Sequence, residues 1–388
     1  MNPLKIFAWP VGTWPLQEHS LFSTSRTILS IAILVTMLTI MNVEIWLDLN
    51  DAEKNLEAVM LIGCGFLAVS KVIWFRFNPY GLVTNFSSAS KDYKELSGVE
   101  KRAIMRHHAY MSRVTCLGVL GFSFAAMTFM SIASVLDEDD TTMDQGNKFE
   151  DNTTQKEPIK YPFPSELTMK TLNIPEDFYP LILFAENIML ILTATGNLGS
   201  DNVFFGIAFH LCGQAEILKM EYSRFIDESE NIIHRFHVLI SRHYQLLKLF
   251  KELNDTISTI LVIQLLTSYL LICLTGFQFI LSLSVRNMVM MMKTFIEMFI
   301  VMSQLFAYSY VGEYLKNQMK DIGYAAYRSS WYNIPSYLSR NIVFILRRAQ
   351  DPVQLRAQHF FVVNMETYMN IVKTSMSYLS VLRVMITT

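Results

Sequence analysis

Asn370, Thr374 and Ser377 recur at helical spacing in an apolar stretch that starts near His359. Val381, Val384 and Thr388 continue the same face. The chemistry such a stripe can do is solvation, not bond-making. In a bilayer a polar side chain must face water or a partner group. An amide and hydroxyls that give way to aliphatic side chains form the pattern of a water-filled path ending in a hydrophobic constriction. The other reading is a helix whose Ser and Thr meet a neighbouring helix. The stripe alone does not choose between them.

No constellation for bond-making accompanies it. The sequence contains no GxGxxG, P-loop, HExxH or GxSxG motif. His107-His108 sits in a basic loop with no Cys or carboxylate at metal spacing, and reads as a solvated pair near lipid headgroups. His210 near Cys212 is equally weak as a ligand pair. Cys64, Cys116, Cys212 and Cys273 lie in or beside apolar stretches with no CxxC pair, so neither zinc nor a disulfide framework is signalled. No enzyme, cofactor or metal is expected.

The elements that must position the stripe are membrane helices. Of 388 residues, 52% are hydrophobic and 17% charged, with a mean hydropathy of +0.29. Soluble domains carry about 25% charged residues. A net charge of −2 gives no reason to expect nucleic acid. Met1 to Ser25 has no charged segment feeding a short apolar core, so no cleaved signal peptide is expected. Stretches long enough to span, roughly 20 apolar residues, lie at 27–47, 56–77, 114–136, 179–200, 257–284, 289–312 and 359–385. Glu44, Lys71, Glu186, Glu297 and Lys373 are the ionisable residues to note within them. Those near a span end are expected to snorkel to the interface.

Loop charge sets the expected orientation. The 76–113 and 313–358 loops are rich in Lys and Arg, whereas the 137–178 loop has four Lys against eleven acids. This puts the N-terminus in the cytoplasm and the C-terminus outside. Residues 1–26 then form a cytoplasmic lead, and residues 27–312 hold six spans. The acidic 137–178 loop carries the sequon at Asn152 and reads as disordered to about Lys156, with the remainder folding back as a lid or staying solvated. Residues 213–256 and 313–350 show helical periodicity between charges, as amphipathic helices outside the bilayer would. Asp351-Pro352 breaks the chain before the last span, residues 359–388.

Motifs of G-protein-coupled receptors are missing. Span three ends in Val135-Leu-Asp-Glu-Asp-Asp140, and the last span has no Asn-Pro-x-x-Tyr. Other motifs are present: Tyr308-Ser-Tyr-Val-Gly-Glu313, Ala325-Ala-Tyr-Arg-Ser-Ser-Trp-Tyr332, Arg347-Arg-Ala-Gln-Asp-Pro352, His359-Phe-Phe-Val362, and Lys373-Thr-Ser-Met-Ser-Tyr-Leu-Ser-Val-Leu-Arg383. In this order they closely resemble the C-terminal third of insect odorant receptors. The resemblance implies an all-α, seven-span membrane subunit of a tetrameric, ligand-gated, non-selective cation channel. It implies a cytoplasmic anchor domain that includes residues 313–358, and a pore lined by the last helix. Residues 213–256 are too short for the long insertion of the shared coreceptor. The chain therefore resembles a tuning subunit that assembles with that coreceptor in the plasma membrane of olfactory sensory neurons.

Carried over by position, the family's hydrophobic gate falls on Val381, with Val384 and Met385 beside it and Asn370, Thr374 and Ser377 lining the path below. Lys373 and Arg383 depart from what a cation path needs, and helical phase puts both off that face by about 100°. The resemblance also implies a pocket for a small apolar odorant in the outer half of the bilayer, between spans two, three, four and six. Cys64 and Phe66 are candidates in span two, and Phe124, Met127 and Thr128 in span three. Span four offers Phe184, Asn187 and Ile188, and span six offers Phe295, Met298, Phe299 and Met302. Membrane lipid or plain packing competes for each. The competing functional classes are a metabotropic receptor acting through a G protein, and a transporter, although no inverted repeat is evident.

Overall fold

The computed structural model describes residues 2–17, 20–49, 51–144, 161–224, 231–285 and 288–387, with side chains at 2–4, 130–144, 176, 382 and 384–387 left aside. The helices in chain order are α1 (Asn2–Val11), α2 (Leu21–Leu47), α3 (Ala52–Phe77), α4 (Tyr80–Glu95), α5 (Val99–Asp144) and α6 (Glu166–Thr171). They continue with α7 (Tyr179–Arg224), α8 (Ile232–Val285), α9 (Met288–Arg328), α10 (Ser336–Gln350) and α11 (Met365–Thr387). A small antiparallel hairpin, β1 (Arg356–Ala357) with β2 (Phe361–Val362), joins α10 to α11. Six helices, α2, α3, α5, α7, α8 and α9, are long and apolar enough to cross a membrane.

Local chemistry explains the starts and stops. Ser20 accepts from the Ser23 N–H and Asp51 from the Lys54 N–H, capping α2 and α3. Asn78-Pro79 ends α3, and Asp351-Pro352 follows α10. Asn364 Oδ1 accepts from the Thr367 N–H and opens α11.

The described parts of the amphipathic segment 213–256 are helical and continue the spans, as the C-terminal part of α7 and the N-terminal part of α8. No proline interrupts residues 232–285, so α8 runs for 54 residues. That is about 80 Å at 1.5 Å per residue, against a hydrocarbon core of about 30 Å. Hydropathy marks where apolar character stops, not where the helix stops. For the same reason the helical backbone of α5 passes through Asp137–Asp144, where the sequence suggested an acidic loop. Residues 359–364, assigned above to the last span, instead pair with β1 and turn.

The bundle has a basic end and an acidic end. At the basic end Arg76 reaches Ser23 and Thr24, Glu100 pairs with Arg224, and Lys219 donates to Gln318. The main core lies toward this end, where Phe204, Phe205, Phe209, Tyr222, Phe236 and Phe250 are fully buried. Residues 193–222 of α7 are mostly buried, but among 179–192 only Glu186 is. At the acidic end the segment after residue 160 folds back on the bundle. Phe163 packs with Met37, Met41 and Ala58. The Glu44 carboxylate accepts from the N–H groups of Leu167 (3.0 Å) and Thr168 (2.8 Å) and from the Thr168 hydroxyl (2.7 Å). It thereby caps the first turn of α6, whose N–H groups have no helical partner. Ser165 donates to Glu186 at 2.6 Å. Asn152 lies outside the described residues.

Candidate functional site

The last helix rests on α8 and α9 along one face. Ser375 and Leu379 are buried there, and Tyr368 and Ile371 pack against the main core. Gly276 of α8 makes this approach possible: a Cβ there would lie 2.4 Å from Leu379 Cδ1. Gly312 of α9 does the same for the hairpin, since its Cβ would lie 2.3 Å from the Val363 carbonyl oxygen.

The stripe lies on the other side of α11. Asn370, Thr374 and Ser377 are exposed, and Val381 is 59% exposed. At 100° per residue, the centre of the stripe is about 135° from the buried face. Thr374 satisfies its hydroxyl internally by donating to the Asn370 carbonyl at 2.8 Å. Lys373 and Arg383 are exposed, about 70° and about 150° round from the stripe centre. The side chains of Val384 and Met385 lie outside those described.

The expected ligand-binding residues lie on adjoining helices. Phe184, Phe295 and Phe299 are 64%, 49% and 50% exposed, and Thr128 is exposed. Phe124, Met127, Asn187, Ile188, Met298 and Met302 are half-buried. Phe299 meets Phe122 at 4.7 Å between centroids, Phe295 meets Phe279 at 6.3 Å, and Met302 packs on the main core. Phe124 lies 6.1 Å from the Phe7 ring of α1. Thr128 and Asn187 turn their polar atoms back onto the Ala125 and Leu183 carbonyls. Cys64 is half-buried and Phe66 exposed. A cavity at the basic end is lined by none of them.

Two expectations are corrected. Lys71 does not snorkel: it is fully buried and paired with Asp201 of α7 at 2.5 Å. Asp201 also accepts from Tyr308 (2.5 Å) and Gln304 (2.6 Å) of α9, and Lys71 donates to the Asn197 side chain at 2.6 Å. Lys71 Nζ also stands 5.8 Å from the Tyr308 ring centroid. One polar knot therefore joins α3, α7 and α9. Nothing local announced it, since Lys71 and Asp201 are 130 residues apart; opposite charges on two apolar helices were the only hint. The second correction is His108. It is 1% exposed, against Glu216 (3.3 Å) and Tyr314 (3.4 Å), because α5 begins at Val99 and turns this residue onto its packed face. His210 meets Asp92 at 3.1 Å rather than a metal partner. Arg242 pairs with the other Asp92 oxygen at 2.7 Å. Burial alone would raise the Asp92 carboxyl, but these hydrogen bonds and the Arg242 charge win and hold it below the usual carboxylate range.

Six membrane-length helices, followed by a last helix with an exposed polar face, make this a membrane-spanning bundle. The family model described as 7tm Odorant receptor matches residues 51–376, and the chain belongs to that family. It is 25% identical over 211 residues to Odorant receptor 85c of Drosophila melanogaster, covering 53% of each chain. Odorant receptor 85b of the same species is 26% identical over 212 residues, covering 54% of this chain and 53% of that one. The chain thus spans about half the length of the curated relatives it matches. The solved structure of the insect olfactory receptor OR5 from Machilis hrabei in complex with eugenol aligns with a TM-score of 0.76 at 15% identity. That match covers 98% of this chain and 96% of the other, and establishes a shared fold.

Proposed function

We propose that this chain is the ligand-binding subunit of an odorant-gated, non-selective cation channel. It assembles with the odorant coreceptor in a tetramer at the plasma membrane of olfactory sensory neurons. The observation that carries this reading is the division of α11 into a packed face and an exposed polar face. An isolated anchor has no use for Asn370, Thr374 and Ser377 pointing away from its own bundle. A helix that borders water on an assembly axis does. On this reading Val381, with Val384 and Met385, forms the constriction. Lys373 and Arg383 stand off the path.

The odorant occupies the outer half of the bundle, between α3, α5, α7 and α9. Support comes from the sparse packing of residues 179–192 and from the apolar, Met-containing side chains there. The named candidates are Phe124, Met127, Thr128, Phe184, Asn187, Ile188, Phe295, Met298, Phe299 and Met302. An odorant opens the path only to the extent that it binds the open arrangement more tightly than the closed one.

Current recording on cells expressing this chain with the coreceptor tests the assignment. Val381→Ser wets the constriction and raises basal current. Unchanged basal current with an unchanged dose response refutes the gate. The orientation is read separately. A glycan at Asn152 and none at Asn85 or Asn254 fits a cytoplasmic N-terminus, and a glycan at Asn85 or Asn254 refutes it.

A further inference from the structure

A cavity of about 860 Å³ opens at the basic end, between α1, α4, α5 and α7. Its interior is mostly apolar, with Phe7, Leu117 and Leu120 in the walls. Lys94, Arg102, Arg106 and Arg113 also line it, and no Asp or Glu does. Among the described residues none of these four cations has a carboxylate within 4.0 Å. The nearby acids are already engaged: Asp92 by Arg242, Glu100 by Arg224 and Glu221 by Lys101.

A second observation points to a ligand. Asn202 lines the cavity at 1% exposure, and neither its side-chain N–H₂ nor its carbonyl has a hydrogen-bond partner. A buried amide left this way is costly unless something else fills the site. Its depth is set by α5, because Cys116 Sγ donates to the Asn202 backbone carbonyl at 3.7 Å. At 1.5 Å per residue, Arg106 lies about 15 Å from that level and Leu120 about 6 Å beyond it. The sequence along the cavity is therefore cationic, then amide, then apolar. The outward face of α5 alongside it exposes Tyr110, Val114 and Leu117, so the opening borders hydrocarbon.

A free anion would use only the cations, and an apolar odorant only the walls. A molecule with an anionic head, a polar link and an acyl tail, in that order, uses all three. We propose that this cavity binds an anionic phospholipid from the adjoining leaflet. The phosphate meets Arg113, about 5 Å along α5 from the Asn202 level. The rest of the anionic head reaches Arg106 and Arg102, an ester carbonyl accepts from the Asn202 N–H₂, and the tail runs along Phe7, Leu117 and Leu120. This does not depend on the channel reading.

The test uses the full chain in nanodiscs with a phosphatidylserine probe that carries a photoreactive acyl chain. Labelled peptides are mapped by mass spectrometry. Label is expected within residues 113–120 and 202–210, displaced by excess phosphatidylserine and not by phosphatidylcholine. Arg102→Gln with Arg106→Gln lowers labelling roughly 30-fold, at about fivefold per cation. Ala109→Trp fills the cavity without touching its charge and abolishes the label. Equal labelling by a phosphatidylcholine probe on the unaltered chain overturns the proposal without relying on any variant. So does displacement by millimolar inorganic phosphate, by oleate or by apolar odorants. Labelling that is unchanged in both folded variants overturns it as well.

Discussion

Removing either partner of the Lys71–Asp201 pair should cost far more than removing both. Lys71 is 0% and Asp201 1% exposed, at 2.5 Å, and no water reaches either. Lys71→Met leaves a buried carboxylate with only the Tyr308 hydroxyl and the Gln304 amide as donors. Asp201→Leu leaves a buried ammonium facing the two Asn197 oxygens, and leaves the Tyr308 hydroxyl without its acceptor. Breaking a buried pair costs about 3–5 kcal/mol. Each single variant removes three bonds, so both should lie in that range. The double variant removes both charges and leaves mainly the Tyr308 hydroxyl to satisfy, about 1–3 kcal/mol. The two single losses together, about 8 kcal/mol, exceed the double loss by about 6 kcal/mol, well above ordinary pairwise terms of about 0.5–3 kcal/mol. Reversible unfolding of the purified chain in mixed micelles, run as a double-mutant cycle, measures it. Additive losses would show that the pair is not the unit holding α3, α7 and α9 together.

Other substitutions give distinct outcomes. Gly312→Ala drives a Cβ into the Val363 backbone and should cost about 1–3 kcal/mol by overpacking. Gly276→Ala meets only the mobile end of Leu379 and should cost less; melting temperatures in nanodiscs rank the two, and the reverse order refutes the geometry. Glu44→Leu removes the cap of α6, so the Leu167 and Thr168 amides should exchange with deuterium at least about tenfold faster. Asp92 titrates lower in the folded state than in the unfolded chain, so its contribution is complete above about pH 4 and fades as pH falls through its folded value. The melting-temperature gap between the unaltered chain and Asp92→Asn should therefore close on acidification, and a constant gap between pH 3 and pH 6 would contradict this.

Much of the bundle is legible from hydropathy, because a bilayer imposes length and apolarity on each span. The stripe of α11 is legible for a related reason: polar residues on one side of a membrane helix stand out against their neighbours. What escaped notice is what hydropathy does not encode. The long rods α7 and α8 leave the membrane without breaking, because leaving hydrocarbon does not end a helix. The two-residue strands at 356–362 are too short to leave a period in the sequence. Lys71 reads as a charge within an apolar segment, and only the packing of α3 on α7 joins it to Asp201 as one unit. His108 looked solvated until α5 fixed which way it turned. The candidate pocket residues are the least legible, because an apolar wall, a lipid-facing side chain and a packed side chain share one composition.

The uninterrupted course of α8 has a mechanical consequence. Asn85 of α4 holds the rod at the Leu249 carbonyl, and Leu379 of α11 sits on it at Gly276, 27 residues further along. That separation is about 40 Å of stiff helix. A tilt of about 2° at the first point displaces the second by about 1.4 Å, the scale of shift that helices make at switching interfaces. Residues far from α11 thus hold leverage over it, and sequence drift at the basic end can retune how readily the last helix moves.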